Sequence, residues 1–278
     1  MPRPCGTPGA WAGLDRAARN AAYDNNAAVP DAARRKDAWQ AASADWRKAW
    51  PAGLDLAYGP AERNRWDLFP AQAPGAPCLI FIHGGYWQRN RREDFACMAQ
   101  GVAAHGWSAA ILGYSLAPQA TLTEIVAETR AALDWLKAEG ARHGIAGPLI
   151  LSGWSAGAHL AVVALDHPAV SAGLAISGVF DLEPIRDTGL NDALSLTDAE
   201  VAALSPLRRP PTPKPLVIAY GARELPRLVE DSCDLHALRA AAETPGPLLA
   251  IPEADHFSIL EQLQRPDGAL VEALLDFH

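Results

Sequence analysis

Residues 148–160 read Pro-Leu-Ile-Leu-Ser-Gly-Trp-Ser-Ala-Gly-Ala-His-Leu, with Gly153-Trp154-Ser155-Ala156-Gly157 at the centre. The apolar run 148–152 predicts a buried strand, and 156–165 predicts a helix directly after it. Between them the pattern G-x-S-x-G puts a serine on a sharp strand-to-helix turn, its hydroxyl lifted clear of the sheet. Chance alone yields that pattern in roughly one chain of this length in ten, so a second segment has to agree with it. His83-Gly84-Gly85-Tyr86-Trp87 does, because it follows the apolar run Cys78-Leu79-Ile80-Phe81-Ile82. A glycine pair at a strand end is free to aim backbone N–H groups at a developing oxyanion. With Asp255-His256 late in the chain, the order of the three segments predicts a serine hydrolase.

Around these segments strands and helices alternate. Strands are predicted over 55–58, 65–69, 78–83, 108–114, 148–152, 174–179, 216–220 and 248–251, and helices over 92–104, 122–139 and 156–165. Short apolar runs alternating with helical patterns predict a single α/β domain over 1–278, a mostly parallel sheet with helices on both faces. In such sheets the chemistry sits at the carboxyl ends of the strands. His83, Ser155, Glu224 and His256 all fall just after a predicted strand. Two segments stand outside the alternation. Residues 1–50 are Ala-rich and helical in pattern, with Pro30-Asp31 opening a helix to about 48. Trp39, Ala42 and Trp46 recur along it at helical spacing, a stripe expected to pack on the body of the domain. Residues 180–215 hold six prolines and a capping-box start at Thr197-Asp198-Ala199-Glu200. They are expected to form a small cap or lid over the site.

The chain has 278 residues, is 49% hydrophobic and 20% charged, and carries a formal net charge of −8. That is an ordinary globular balance with length for one large core. The acidic excess argues against nucleic acid or an anionic membrane surface as a partner. No apolar run approaches the length of about 18 residues that a membrane span needs. Residues 1–13 lack the continuous apolar stretch of a secretory signal, so a cytoplasmic location is expected. Cys5, Cys78, Cys97 and Cys233 show neither a C-x-x-C pair nor metal-ligand spacing and read as reduced thiols. The expected partner is a small-molecule substrate, and a homodimer is left open.

A serine hydroxyl is a poor nucleophile at neutral pH and needs a base, which in turn needs an orienting acid. Ser155 is the candidate nucleophile. His256, on the loop after the last predicted strand, is the candidate base. His159 is its rival, but it lies four residues after Ser155 on the same helix and would project along the helix body. His105, His143, His167, His236 and His278 have no context suggesting chemistry. Glu224, in Gly221-Ala222-Arg223-Glu224-Leu225-Pro226, is the acid that fits the order best. Asp231 and Asp234, on the following helix, are its alternatives. Asp255 adjoins the base, and adjacent residues seldom orient one another in this way. The oxyanion hole should use the N–H of Ala156 with those of Gly85 and Tyr86. Gly84 and His83 support that loop, His83 as a brace rather than a base.

Several stretches together resemble the kynurenine formamidase (arylformamidase) family, within the hormone-sensitive-lipase-like branch of the α/β-hydrolases. They are His83 to Trp87, Gly153 to Leu160, and Ser177-Gly178-Val179-Phe180-Asp181-Leu182-Glu183-Pro184-Ile185. Tyr58-Gly59-Pro60, Asp67-Leu68-Phe69-Pro70, Tyr114-Ser115-Leu116-Ala117-Pro118 and Leu204-Ser205-Pro206 extend the match. The resemblance runs from about Tyr23 to the end. It implies an α/β-hydrolase fold and cleavage of the formyl amide of N-formyl-kynurenine. It also implies a Ser155, His256 and Glu224 triad, with no metal or organic cofactor. Two positions depart from the family: Glu224 replaces the usual aspartate, and Trp154 stands where relatives often carry histidine. An aromatic leaving amine would suit tryptophan walls, so Trp87 and Trp154 are expected to contact the aryl ring. A carboxylesterase or another amide hydrolase would share every residue named. A non-hydrolytic ligand receptor would have lost part of the set, and an acyltransferase would hand the acyl group to an amine or alcohol instead of water.

Overall fold

The computed structural model describes residue 11 and residues 13–277, so Cys5 and His278 lie outside the described residues. Its strands are β1 (Leu56–Ala57), β2 (Arg65–Phe69), β3 (Cys78–Ile82), β4 (Ser108–Leu112), β5 (Leu149–Trp154), β6 (Val170–Ile176), β7 (Leu216–Gly221) and β8 (Leu248–Ile251). They form one sheet in the order β1-β2-β4-β3-β5-β6-β7-β8. The pairings of β2 with β1 and with β4 are antiparallel, and all others are parallel. Helices α1 (Arg16–Ala21), α2 (Asn25–Ala28) and α3 (Ala32–Ala49) precede the sheet. Then come α4 (Gln100–Ala104), α5 (Leu122–Glu139) and α6 (Ala156–Val163). Residues 180–215 hold α7 (Glu183–Arg186), α8 (Asn191–Leu194) and α9 (Asp198–Leu204). The chain closes with α10 (Pro226–Ala241), α11 (Glu261–Gln264) and α12 (Ala269–Leu275).

Every residue of β3, β4 and β5 is buried. Helices cover both faces, and parallel strands so covered read as unbroken apolar runs. The twofold period survives in where the side chains go. Ile80, Ile82, Leu149 and Leu151 share a core with Ile125, Leu133 and Leu136 of α5 and Leu160 of α6. Leu79, Phe81 and Ile150 share the other with Trp39 of α3 and with Leu270 and Leu274 of α12. The start of α5 is set by a capping box between Thr121 and Glu124, which satisfies N–H groups that the first turn leaves over. Trp39 is buried on the sheet body, as the stripe on residues 1–50 anticipated.

The chain leaves β3 for β4 on one side, then returns to lay β5 on the other side of β3. Crossovers that diverge in this way open a crevice beyond the carboxyl ends of the two strands. The glycine loop leaves β3 and the serine turn leaves β5, so the topology alone brings them to one place.

Two elements differ from the sequence reading. The helix predicted over 92–104 is a 3₁₀ helix over Arg92–Ala99 that becomes α-helical only in α4. The reason is tertiary: the Cys97 N–H donates to the Ser43 hydroxyl of α3 at 3.0 Å. The strand predicted over 174–179 begins at Val170 and stops at Ile176, because Ser177 turns into the left-handed region with φ 53°. Among the described residues, Cys78, Cys97 and Cys233 are free. No described helix is long and apolar enough to cross a membrane.

Candidate active site

Ser155 sits between β5 and α6 with φ 57° and ψ −121°, a conformation that residues with side chains seldom adopt. Its neighbours hold it there. A Cβ on Gly153 would lie 2.2 Å from the Gly157 oxygen, and one on Gly157 would lie 2.0 Å from the Ile82 oxygen. Only glycine lets α6 start this close to β3 and β5. The Ser155 N–H donates to the Ile176 oxygen at 2.8 Å, which ties the turn to β6. Ala156 opens α6, and the first N–H groups of a helix have no partner within it.

The loop after β3 runs through Gly85, Tyr86 and Trp87 with φ of 113°, 51° and 58°. A Cβ on Gly84 would lie 2.7 Å from the Trp154 oxygen and 2.8 Å from the Ser155 Cβ, so the two loops touch there. The Gly84 oxygen accepts from His83 Nδ1 at 2.8 Å and from Asn90 Nδ2 at 3.1 Å. In a trans peptide the next N–H points the opposite way, which fixes the direction of the Gly85 N–H. Burial pushes the His83 pKa down to about 3, so its ring is a neutral brace, stacked on Tyr114 at 4.4 Å. The Tyr86 hydroxyl donates to the Tyr23 oxygen at 2.7 Å and accepts from Asn25 Nδ2 at 3.0 Å.

His256 follows β8, and its Nδ1 lies 3.1 Å from Glu224 Oε2. Both side chains are buried. The other carboxylate oxygen, Oε1, accepts from the Gly221 N–H at 2.7 Å and from the Ser177 hydroxyl. Glu224 is thus held by three donors from three loops, and its extra methylene is accommodated by a turn that starts at Gly221. A Cβ on Gly221 would meet the Ala254 oxygen at 2.5 Å, so that turn requires glycine. The Trp154 indole N–H donates to the His256 carbonyl at 2.8 Å. Asp231 is engaged elsewhere: it accepts from the Phe180 N–H at 2.6 Å and lies 3.5 Å from Arg227. Asp234 also lies on α10. His159 is buried and bonded to the Leu204 carbonyl at 2.8 Å, and burial pushes its pKa down to about 4.

Ser155, His256, Gly85, Tyr86 and Trp154 line one cavity of about 60 Å³, together with Asn25, Asn26, Lys36, Arg89, Asn90 and Phe257. One expectation is corrected here. Trp87 does not line the cavity: its side chain is fully buried, with its ring 5.0 Å from that of His159. It packs the loop from below and offers no face to a substrate. The segment 180–215 contributes no lining residue to the cavity. It borders a neighbouring cleft of about 460 Å³ through Thr188, Gly189 and Leu190. The residues that close over the serine come from the N-terminal helices. Asn25, Lys36, Asn90 and Ser177 were missed because no local motif marks them; Ser177 alone lay inside a stretch already singled out. Among the described residues, no group of His, Cys, Asp or Glu side chains could hold a metal ion.

The BD-FAE family matches residues 68–169. Kynurenine formamidase from Danio rerio is 29% identical over 239 residues, covering 80% of each chain. The enzyme of that name from Salmo salar is 30% identical over 239 residues, again covering 80% of each. A crystal structure of a Silicibacter protein assigned as a thioesterase superposes with a TM-score of 0.83 at 26% identity, over 92% of this chain and 98% of that one. Esterase LipW from Mycobacterium marinum shares the fold, with a TM-score of 0.69 at 18% identity over 96% of this chain and 98% of that one. A mostly parallel sheet with a serine elbow at its switch point, and relatives that match over four-fifths of their length, make this chain a hydrolase of the α/β-hydrolase fold that belongs to the kynurenine formamidase family.

Proposed function

We propose that this hydrolase removes the N-formyl group from an aryl formamide such as N-formyl-kynurenine, using Ser155, His256 and Glu224. The observation that carries this reading is the division of space at the serine. The cavity at Ser155 is about 60 Å³, several-fold smaller than the cleft beside it, and suits an acyl group as small as formyl. The adjoining cleft of about 460 Å³ shares Asn26, Lys36, Tyr86 and Arg89 with it and has room for an aromatic amine. Lys36 and Arg89 also place two cations at the junction on a chain with net charge −8. Among the described residues, Arg89 has no ion-pair partner. A leaving amine that carries a carboxylate would be drawn to them.

In the proposed reaction the Ser155 hydroxyl oxygen attacks the formyl carbon as its proton passes to His256 Nε2. The carbonyl electron pair moves onto oxygen, where the N–H groups of Gly85, Tyr86 and Ala156 receive it. Glu224 holds the His256 ring and stabilises its cationic form. As the pair returns, the C–N bond breaks and His256 gives its proton to the departing nitrogen. Water then attacks the formyl ester, again losing a proton to His256, and formate leaves as the proton returns to Ser155. Trp154 acts by holding the His256 loop.

The test is turnover of N-formyl-kynurenine beside a short-chain p-nitrophenyl ester, with Ser155→Ala as blank. A kcat/KM for the formamide of about 10⁴ M⁻¹s⁻¹ or more, lost in the variant, is expected. Ester cleavage with no formamide cleavage would replace the reading with a carboxylesterase.

A further inference from the structure

The Tyr86 hydroxyl donates to the Tyr23 carbonyl and can therefore only accept from Asn25. With the hydroxyl proton on the Tyr23 carbonyl, the shorter of the two contacts at 2.7 Å against 3.0 Å, the Asn25 amide turns its NH₂ group to Tyr86. Among the described residues, the oxygen, Oδ1, remains as a buried acceptor with no hydrogen-bond partner. Asn25 is 4% exposed, and it lines the same cavity as Ser155 and His256. An unpaired buried acceptor is costly to leave unmade, and its most economical explanation is a donor brought by the substrate.

We propose that Asn25 Oδ1 accepts the N–H of the scissile amide and makes this site selective for amides over esters. The inference rests on the reading of Ser155 as the nucleophile of an amide hydrolase. When the serine oxygen attacks, the amide nitrogen becomes pyramidal and turns its lone pair toward His256 for protonation. Its hydrogen then points away from His256 and needs an acceptor of its own. An ester has an oxygen at that position and no hydrogen to give, so Oδ1 stays unpaired through its transition state. Sites built around a substrate N–H or O–H discriminate strongly against analogues that lack it.

The experiment compares formanilide with phenyl formate, which share the acyl group and the ring, on the wild type, Asn25→Ala and Tyr86→Phe. In Asn25→Ala the amide-to-ester ratio of kcat/KM is expected to fall roughly 10- to 100-fold, the loss of one hydrogen bond to a buried acceptor. Tyr86→Phe removes the tether but keeps the acceptor, and its ratio should fall less. A ratio unchanged in Asn25→Ala, with both substrates slowed alike, would assign Asn25 a structural role through Tyr86 and overturn the proposal. Acetanilide and phenyl acetate separate this from the parent reading. If the wild type cleaves acetanilide but not formanilide, and the ratio still depends on Asn25, the formyl assignment fails and this one stands. If no anilide is cleaved, both fail.

Discussion

Glu224→Gln tests the site most sharply because the structure dictates which way the new amide will face. Oε1 of Glu224 receives two donors, the Gly221 N–H and the Ser177 hydroxyl, while Oε2 faces His256 Nδ1. In the variant the amide oxygen must keep the position of Oε1, since an NH₂ there would confront both donors. The NH₂ group therefore lands at 3.1 Å from His256 Nδ1, the present Oε2 distance. That nitrogen must now accept, so the ring proton moves to Nε2, the atom that has to take the serine proton. The base is in the wrong tautomer. Amide replacement of a triad acid lowers kcat about 10⁴-fold, or about 5.4 kcal/mol of transition-state stabilisation. All three hydrogen bonds survive in number, so folding should lose only about 1 kcal/mol as charge-assisted bonds become neutral. The assay is formamide turnover together with urea unfolding, with the His256 ¹⁵N shifts reporting the tautomer. If the variant keeps more than about a tenth of the wild-type kcat, or if Asp231→Asn loses as much, the assignment of Glu224 is refuted.

Three further outcomes are expected. Burial pushes the Asp231 pKa up to about 7 from 3.8, so the native state favours the neutral acid, with Arg227 and Asp181 the charges facing it. Its stabilising contribution is full below about pH 4 and is lost as pH rises through 7; urea unfolding at pH 5 and 8 should show the wild type losing ground to Asp231→Asn, and parallel profiles would sink the argument. Arg89→Ala combined with Lys36→Ala should raise KM roughly tenfold for a formamide bearing a carboxylate, with formanilide as the neutral comparison. Equal changes for both substrates would show that the two cations do not read charge. Trp87→Phe should cost about 1–3 kcal/mol of stability with KM moving less than about twofold, because Trp87 packs on His159 away from the cavity; a large KM change would return it to the substrate wall.

Most strands and the long helix Leu122–Glu139 were legible because burial on both faces and a capping box are written within a few residues. The serine elbow and the glycine loop were legible for a related reason. Gly153, Gly157 and Gly84 are required by backbone atoms a few ångströms away, and no other residue type substitutes. The 3₁₀ geometry of Arg92–Ala99 was hidden, since it depends on a hydroxyl 54 residues away. Proline-rich, capped composition marked residues 180–215 as a separate segment, and only the fold shows that Thr188, Gly189 and Leu190 border the cleft beside the serine cavity.

Local pattern thus carried the fold, the nucleophile and the loops that flank it, because steric and hydrophobic demands act over short stretches of chain. The partnerships that give those residues a chemistry were decided in three dimensions. Glu224 meets His256 across 32 positions, Asn25 meets Tyr86 across 61, and Trp154 meets His256 across 102. Such contacts follow no periodicity. They arise when crossovers diverge from β3 and β5 and the N-terminal helices fold back over the opening, so that groups with nothing local in common come to share one small cavity.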